Sequence, residues 1–192
     1  MKRLRIAIQG IKGSNHHQVA MEYFGSEVEL VECLSFHELV DKLMDGAADK
    51  GVMAVENSIA GSIIPNYALV CENRLHIIGE YYLNIHHHLM ALEGQQLGDI
   101  REVHSHPMAL LQCREYLKTL PGIRMVEDVD TAETARRIHQ GQIRHIAAIA
   151  PEMAAGLYGL GVLAREIQTI KNNATRFIVV KRTNKELPKE EI

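Results

Sequence analysis

Asn173-Ala174-Thr175-Arg176-Phe177, followed by Ile178-Val179-Val180, puts a hydroxyl, a guanidinium and an aromatic ring in consecutive positions at the mouth of an apolar run. Ile178 to Val180 reads as a buried strand. Thr175 and Arg176 then stand at its entrance, where side chains can face a cleft while the strand behind holds them still. A hydroxyl nucleophile needs a base within hydrogen-bond reach, and none is adjacent. An ordinary strand entrance with polar flanks has the same spacing, so the rest of the chain must decide.

Working outward, 192 residues with 46% apolar content allow one large domain or two small lobes with a real core. A net charge of -3 gives no electrostatic case for nucleic acid or an anionic membrane as partner. Cys33, Cys71 and Cys113 are few, odd in number and far apart, which supports neither a disulfide framework nor a metal knuckle. The apolar run at the N-terminus breaks at Gln9-Gly10, too short for a signal peptide, and no stretch approaches membrane-spanning length. Together these features set the expectation of a cytoplasmic protein without membrane contact.

Strands and helices alternate along the chain. Leu4 to Gln9 reads as a strand, and the turn Gly10-Ile11-Lys12-Gly13-Ser14-Asn15 leads into a helix from about His16. Glycines permit close approach, Ser14 or Asn15 caps, and the exposed N–H groups suit a carboxylate. The turn lacks the Gly-Lys-Ser/Thr of a P-loop and the third glycine of a dinucleotide fingerprint. Val28 to Cys33 is a second strand, and Ser35 with Glu38 forms a capping box before the next helix. Gly51 to Val55 is a third strand running into Glu56-Asn57-Ser58-Ile59-Ala60-Gly61-Ser62, an acid, an amide and a hydroxyl at a strand's carboxyl end, where open α/β sheets bind ligands.

Leu75 to Met90 is long and extended, punctuated by Gly79, and suits a crossing between lobes. Its His86, His87 and His88 alternate faces, so they cannot converge on a metal ion. Ser105-His106-Pro107 opens a helix with Ser105 at the N-cap, and Asp130 leads into Thr131-Ala132-Glu133, the first turn of another. These elements imply two α/β lobes joined by two strands with the ligand between them. The expected first lobe is 1–78 plus 168–182, the second 79–167, and 183–192 a solvated tail.

Four pieces resemble the prephenate dehydratase family in its order: Gly10-x-x-Gly13-Ser14, Glu56-Asn57-Ser58-Ile59-x-Gly61, Ser105-His106-Pro107-x-Ala109-Leu110-x-Gln112-Cys113, and Asn173-x-Thr175-Arg176-Phe177. Asp130-Thr131-Ala132-x-x-Ala135 and Ala147-Ala148-Ile149-Ala150 also fit. The resemblance implies a fold like the type 2 periplasmic binding proteins, each lobe a mixed sheet flanked by helices, with the active site in the interlobe cleft. It implies conversion of prephenate to phenylpyruvate, water and carbon dioxide without metal or organic cofactor, and an essential Thr175. It suggests a homodimer or higher oligomer, to which the apolar helices 64–71 and 157–163 could supply a patch. Met108 replaces the family's usual glutamine. The C-terminal ACT domain of most members has no counterpart in this sequence, and the expectation is a catalytic domain alone.

Loss of carbon dioxide and hydroxide from the cyclohexadiene ring yields an aromatic product, so the overall reaction is strongly downhill. Thr175 is too weak an acid to ionise and is read as a positioned donor to the leaving oxygen. Glu56 is the rival donor, if burial raises its pKa. Arg176 is assigned to the pyruvyl carboxylate or to holding the cleft. Asn57 and Ser58 from one lobe and Ser105 from the other are expected to grip substrate oxygens, Phe177 to pack near the ring, and Gly13, Ser14 and Asn173 to complete the contacts. Arogenate, with an amino group in place of the keto group, is the close alternative; an acid facing that group would favour it. A non-catalytic dicarboxylate-binding protein of the same fold, trapping its ligand with Arg176, is the alternative of another class.

Overall fold

The computed structural model describes residues 3–183. Strand β1 (Leu4–Gln9) begins a sheet because its central residues, Ile6 to Ile8, are fully buried on both faces. Helix α1 (Asn15–Phe24) follows, capped by Ser14, whose Oγ accepts from the His17 N–H at 3.2 Å. Then come β2 (Val28–Cys33), α2 (Phe36–Met44), β3 (Lys50–Asn57), the short β4 (Gly61–Ser62), α3 (Ile64–Glu72) and β5 (His76–Asn84). Ser35 caps α2, accepting from the Glu38 N–H, while the Glu38 carboxylate reaches back to the Leu34 N–H rather than to Ser35 as a strict capping box requires.

The second half opens with β6 (His88–Leu92), a 3-10 turn (Leu97–Asp99) and β7 (Glu102–Ser105). It continues through α4 (Pro107–Gln112), α5 (Arg114–Lys118), β8 (Arg124–Glu127), α6 (Thr131–Gly141), β9 (Ile146–Ala150), α7 (Glu152–Tyr158) and β10 (Leu160–Ala164), and ends with β11 (Ala174–Lys181). The main order of the first sheet is β2-β1-β3-β11-β5 with β4 hydrogen-bonded to β3; that of the second is β10-β6-β9-β7-β8. Both are mixed: β1 runs parallel to β2 and β3 while β11 runs antiparallel to β3 and β5, and β7 runs parallel to β8 and β9 while β6 runs antiparallel to β9 and β10.

Each sheet has apolar clusters on both faces. In the first, Leu39, Leu43 and Leu69 of α2 and α3 pack under Met53, Val55 and Ile178, while Val19 and Ala20 of α1 pack over Ile8, Ala54 and Phe177. In the second, Ala109, Leu110 and Leu117 of α4 and α5 cover one face, and Ala135, Ile138 and Ala154 of α6 and α7 cover the other. The result is two lobes, each a mixed sheet flanked by helices. Strand β11 is the return of the chain into the first sheet, which is why it lies between β3 and β5.

The lobe boundary differs from the expectation. The first crossing does not come at residue 79, because β5 pairs with β11 from His76 to Asn84 and so belongs to the first sheet along its full length. Gly79 is instead a close-packing position, where an added Cβ would lie 2.0 Å from the Tyr23 hydroxyl. The connections are not strands either. Residues 85–87 and 165–173 are irregular, and they bond across one another through Ile85 N to Asn173 O (2.6 Å) and Ile167 N to His87 O (2.8 Å). Of the expected tail only Thr183 is described, its hydroxyl donating to the Arg74 carbonyl; 184–192 lie outside the described residues.

Candidate active site

A cavity of about 290 Å³ opens between the lobes. The first sheet supplies Ala54, Asn57, Thr175 and Phe177; α1 supplies Asn15 and His16 behind Ser14; and the second lobe supplies Ala109, Gln112, Asp130 and Thr131, with His87 and Asn173 from the connections. Ser14, Asn57, Asn173, Thr175 and Phe177 are thus brought together around it.

A chain of side-chain hydrogen bonds crosses from one lobe to the other, and its polarity can be worked out. Asn57 Oδ1 accepts from the backbone N–H groups of Ile59 and Ala60, both at 2.9 Å, which fixes the amide's orientation. Its Nδ2 therefore donates to Asn173 Oδ1 (2.7 Å) and to Thr175 Oγ1 (2.9 Å). Asn173 Nδ2 then donates to Gln112 Oε1 (3.0 Å), and the same oxygen lies 2.8 Å from His87 Nε2. Because that oxygen is an acceptor only, His87 carries its proton on Nε2. Its Nδ1 is buried without a partner among the described residues, and burial, the largest cause, pushes the imidazole pKa down. Thr175 Oγ1 already accepts from Asn57, so the hydroxyl's own proton is free to point into the cavity.

The cleft surface is largely apolar, and burial pushes down the pKa of two of its histidines, His16 and His87. His16 is fully desolvated and its pKa is pushed down to about 4; its Nε2 accepts weakly from the Ala54 N–H, and its ring meets Phe177 edge-on at 5.0 Å. Phe177, 1% exposed, forms part of the apolar floor. Asp130 caps α6, its Oδ1 accepting from the Glu133 N–H at 2.9 Å, and burial raises its pKa above the ordinary carboxylate range against the opposing backbone hydrogen bonds.

Five expected site residues are placed elsewhere. Arg176 points to the other face of β11, where it pairs with Glu80 at 2.8 Å and approaches Glu56 at 3.9 Å; neither Arg176 nor Glu56 lines the cavity. Ser58 pins the return strand, its Oγ accepting from the Ala174 N–H at 3.0 Å. Ser105 ends β7 fully buried and donates to the Ile149 carbonyl at 2.7 Å; His106, not Ser105, caps α4. Gly13 has φ +92° and an added Cβ would lie 3.2 Å from Ala154 Cα, so it serves the close approach of the lobes rather than ligand contact. Sequence reasoning missed His16, Gln112 and Asp130, and read one of His86, His87 and His88 as lining the cleft without saying which. Gln112 and Asp130 stood inside the quoted motifs without an assigned role, while His87 could have been singled out by strand alternation: it lines this cavity whereas His86 and His88 line another.

The family model for prephenate dehydratase matches residues 6–185. Arogenate dehydratase 2 of Petunia hybrida is 40% identical over 180 residues, which are 94% of this chain and 45% of that protein. The chloroplastic arogenate dehydratase/prephenate dehydratase 2 of Arabidopsis thaliana is 38% identical over 94% of this chain and 47% of its own length. The chain therefore spans about half the length of these curated relatives. Among solved structures, prephenate dehydratase from Arthrobacter aurescens in complex with L-Phe is 27% identical with a TM-score of 0.85, covering 98% of this chain and 63% of that one. GqqA, described as a novel type of quorum quenching acylase, is 32% identical with a TM-score of 0.83, covering 96% and 66%. The expected cytoplasmic location is corrected by these comparisons, since the Arabidopsis relatives are chloroplastic by name. By the family match along nearly its whole length, and by relatives at this identity, the chain belongs to the prephenate dehydratase family.

Proposed function

We propose that the cleft catalyses the decarboxylating dehydration of a cyclohexadienyl dicarboxylate, with arogenate the preferred substrate and prephenate the second. The names of the relatives favour the amino substrate over the keto one that the sequence alone put first. The observation that carries the reaction class is the Asn57-to-Thr175 hydrogen bond, which leaves the threonine proton free to be donated into the cavity.

In this reading the ring C–O bond breaks as its oxygen takes a hydrogen bond from Thr175, and solvent supplies the proton that completes water. The bond to the ring carboxylate breaks with it; its electron pair enters the ring and carbon dioxide leaves. Thr175 stabilises the charge growing on the departing oxygen without having to ionise. The apolar floor at Phe177 suits the ring, and the N-terminal turn of α1 offers N–H groups to a carboxylate. No step requires an activated nucleophile. The Thr175 hydroxyl accepts from an amide and Ser105 donates to a carbonyl, so neither is paired with a base of the kind acyl transfer needs. A dicarboxylate binder relying on Arg176 is disfavoured by the pairing of that guanidinium outside the cavity. Self-association belongs to this reading as well, with Ile64 and Leu157 exposed on the helices expected to carry it.

The test is turnover of arogenate and of prephenate by purified protein beside Thr175→Ala. Activity on at least one substrate, falling about 10²- to 10⁴-fold in the variant, is the expected result. A variant that keeps wild-type turnover removes Thr175 from the chemistry.

A further inference from the structure

Asp130 is the one carboxylate lining the cleft among the described residues, and no lysine or arginine lines it. A site for a substrate bearing two carboxylates would ordinarily be basic. Here the formal charge built into the wall is negative, and its placement is specific. Asp130 caps α6 in the second lobe through Oδ1, while its Oδ2 lies 3.4 Å from the Cβ position of Gly10 in the first lobe. Ser14 Oγ, at the start of α1, lies 3.6 Å from the same point. The acid of one lobe and the helix N-terminus of the other therefore flank one gap between the lobes. Gly10, with φ +89°, carries no side chain to fill it.

We infer that Asp130 is the counter-ion for the ammonium group of the substrate's side arm and sets the preference of the site for an α-amino acid arm over an α-keto acid arm. The proposal rests on the reading of this cleft as a dehydratase site and names the half of the substrate that the wall selects. An α-amino acid carries an ammonium and a carboxylate on one carbon, the pair of charges that an acid facing a helix N-terminus accommodates. A keto acid brings the same carboxylate without the cation, so it meets an unpaired negative charge in a site of low dielectric. Burial disfavours the lone carboxylate of Asp130, and a bound ammonium would relieve that cost. The other groups near the carboxyl are His106, whose charge would favour the anion, and Glu133, whose charge opposes it; Glu133 is itself paired with Arg136.

Asp130→Asn is the discriminating variant, because asparagine caps helices as well as aspartate and leaves α6 in place. Steady-state rates are compared for arogenate and prephenate, wild type against variant. The expected result is a fall in kcat/KM for arogenate of about 10- to 100-fold, the usual worth of a hydrogen bond to a charged group, with prephenate unchanged or improved. Equal losses on both substrates, or none on arogenate, overturn the proposal. Calorimetric binding of the two compounds to Thr175→Ala, with and without Asp130→Asn, separates this claim from the proposed reaction. If wild type turns over neither compound, the dehydratase reading fails. A selective tenfold loss of arogenate affinity in the double variant would still support the ammonium site, and equal affinities in both backgrounds would sink it.

Discussion

Asn57→Asp replaces one side chain by its near-isostere and reverses the polarity of the hydrogen-bond chain at Thr175. In the wild type, Asn57 Nδ2 donates to Thr175 Oγ1 at 2.9 Å and to Asn173 Oδ1 at 2.7 Å, while Oδ1 holds the Ile59 and Ala60 N–H groups. A carboxylate keeps the second pair of bonds and loses the first. The Thr175 hydroxyl then turns to donate to the new anion, so its proton no longer faces the leaving oxygen. A hydrogen bond to a group developing charge is worth about 1.5–3 kcal/mol, and the carboxylate beside the departing hydroxide adds repulsion of the same order. Together these correspond to a fall of about 10²- to 10⁴-fold in kcat. The assay is kcat at saturating substrate, with circular dichroism to show that the fold is kept. A pH profile gives a second readout. Protonation of the introduced carboxyl restores one donor, so the variant's relative activity should rise as pH falls through that carboxyl's pKa. Retention of more than a tenth of wild-type kcat, or a ratio to wild type flat with pH, would refute the assigned polarity.

Arg176→Ala tests the placement of the guanidinium outside the cavity. Because Arg176 pairs with Glu80 and Glu56 at partly exposed positions, the expected cost is about 1 kcal/mol of stability or less, with kcat within about threefold of wild type; a loss beyond a hundredfold would put the side chain back in the mechanism. His16 predicts a pH effect on stability. Its folded pKa of about 4 lies below the unfolded value near 6.5, so over that window the unfolded chain binds the extra proton and stability is lost as pH falls. Complete passage through the window corresponds to about 3 kcal/mol, and His16→Gln, which keeps a hydrogen-bond acceptor, should remove that part of the slope in denaturant titrations at pH 7 and pH 4.

The lobes and most of their elements were legible because apolar runs and turn residues punctuate the chain. Ile6 to Ile8, Met53 to Val55 and Ala147 to Ala150 are buried runs of the length strands need, and serine or aspartate at 14, 35 and 130 marks helix starts. The crossing was harder to read. Nothing between Leu75 and Met90 but Gly79 suggested a break, and that glycine answers to the Tyr23 hydroxyl rather than to a change of lobe. The hydrogen bond from Ile85 to Asn173 ties the real crossing to a segment almost ninety positions on, and no local signal carries such a pairing. Asp130 was hidden for another reason. Its capping role accounts fully for an aspartate before Thr131, so its facing the cleft shows only when both lobes are in place.

Glu56 and Arg176 were expected in the site, and a break in the alternation of β3 is what places Glu56 on the other face beside Arg176. Opposite β11, the register on β3 runs Asn57 with Thr175, Glu56 with Arg176, then skips Val55 and resumes with Ala54 against Phe177. Val55 joins the cluster under α2 and α3, and Ala54 the one under α1. Strict alternation from these two would send Glu56 to the cleft with Ala54 and turn Asn57 away. The extra residue reverses this: Glu56 follows Val55 toward the outer face, where Arg176 awaits it, and Asn57 arrives beside Thr175 in the cavity. A bulge costs one ladder pairing and re-aims every side chain beyond it. Straightening the strand with Val55 kept in the ladder would pair Val55 with Arg176 and Glu56 with Thr175, and so bring a carboxylate opposite Thr175 in place of an amide. The bulge thus exchanges an acceptor for a donor at the atom on which the proposed chemistry depends.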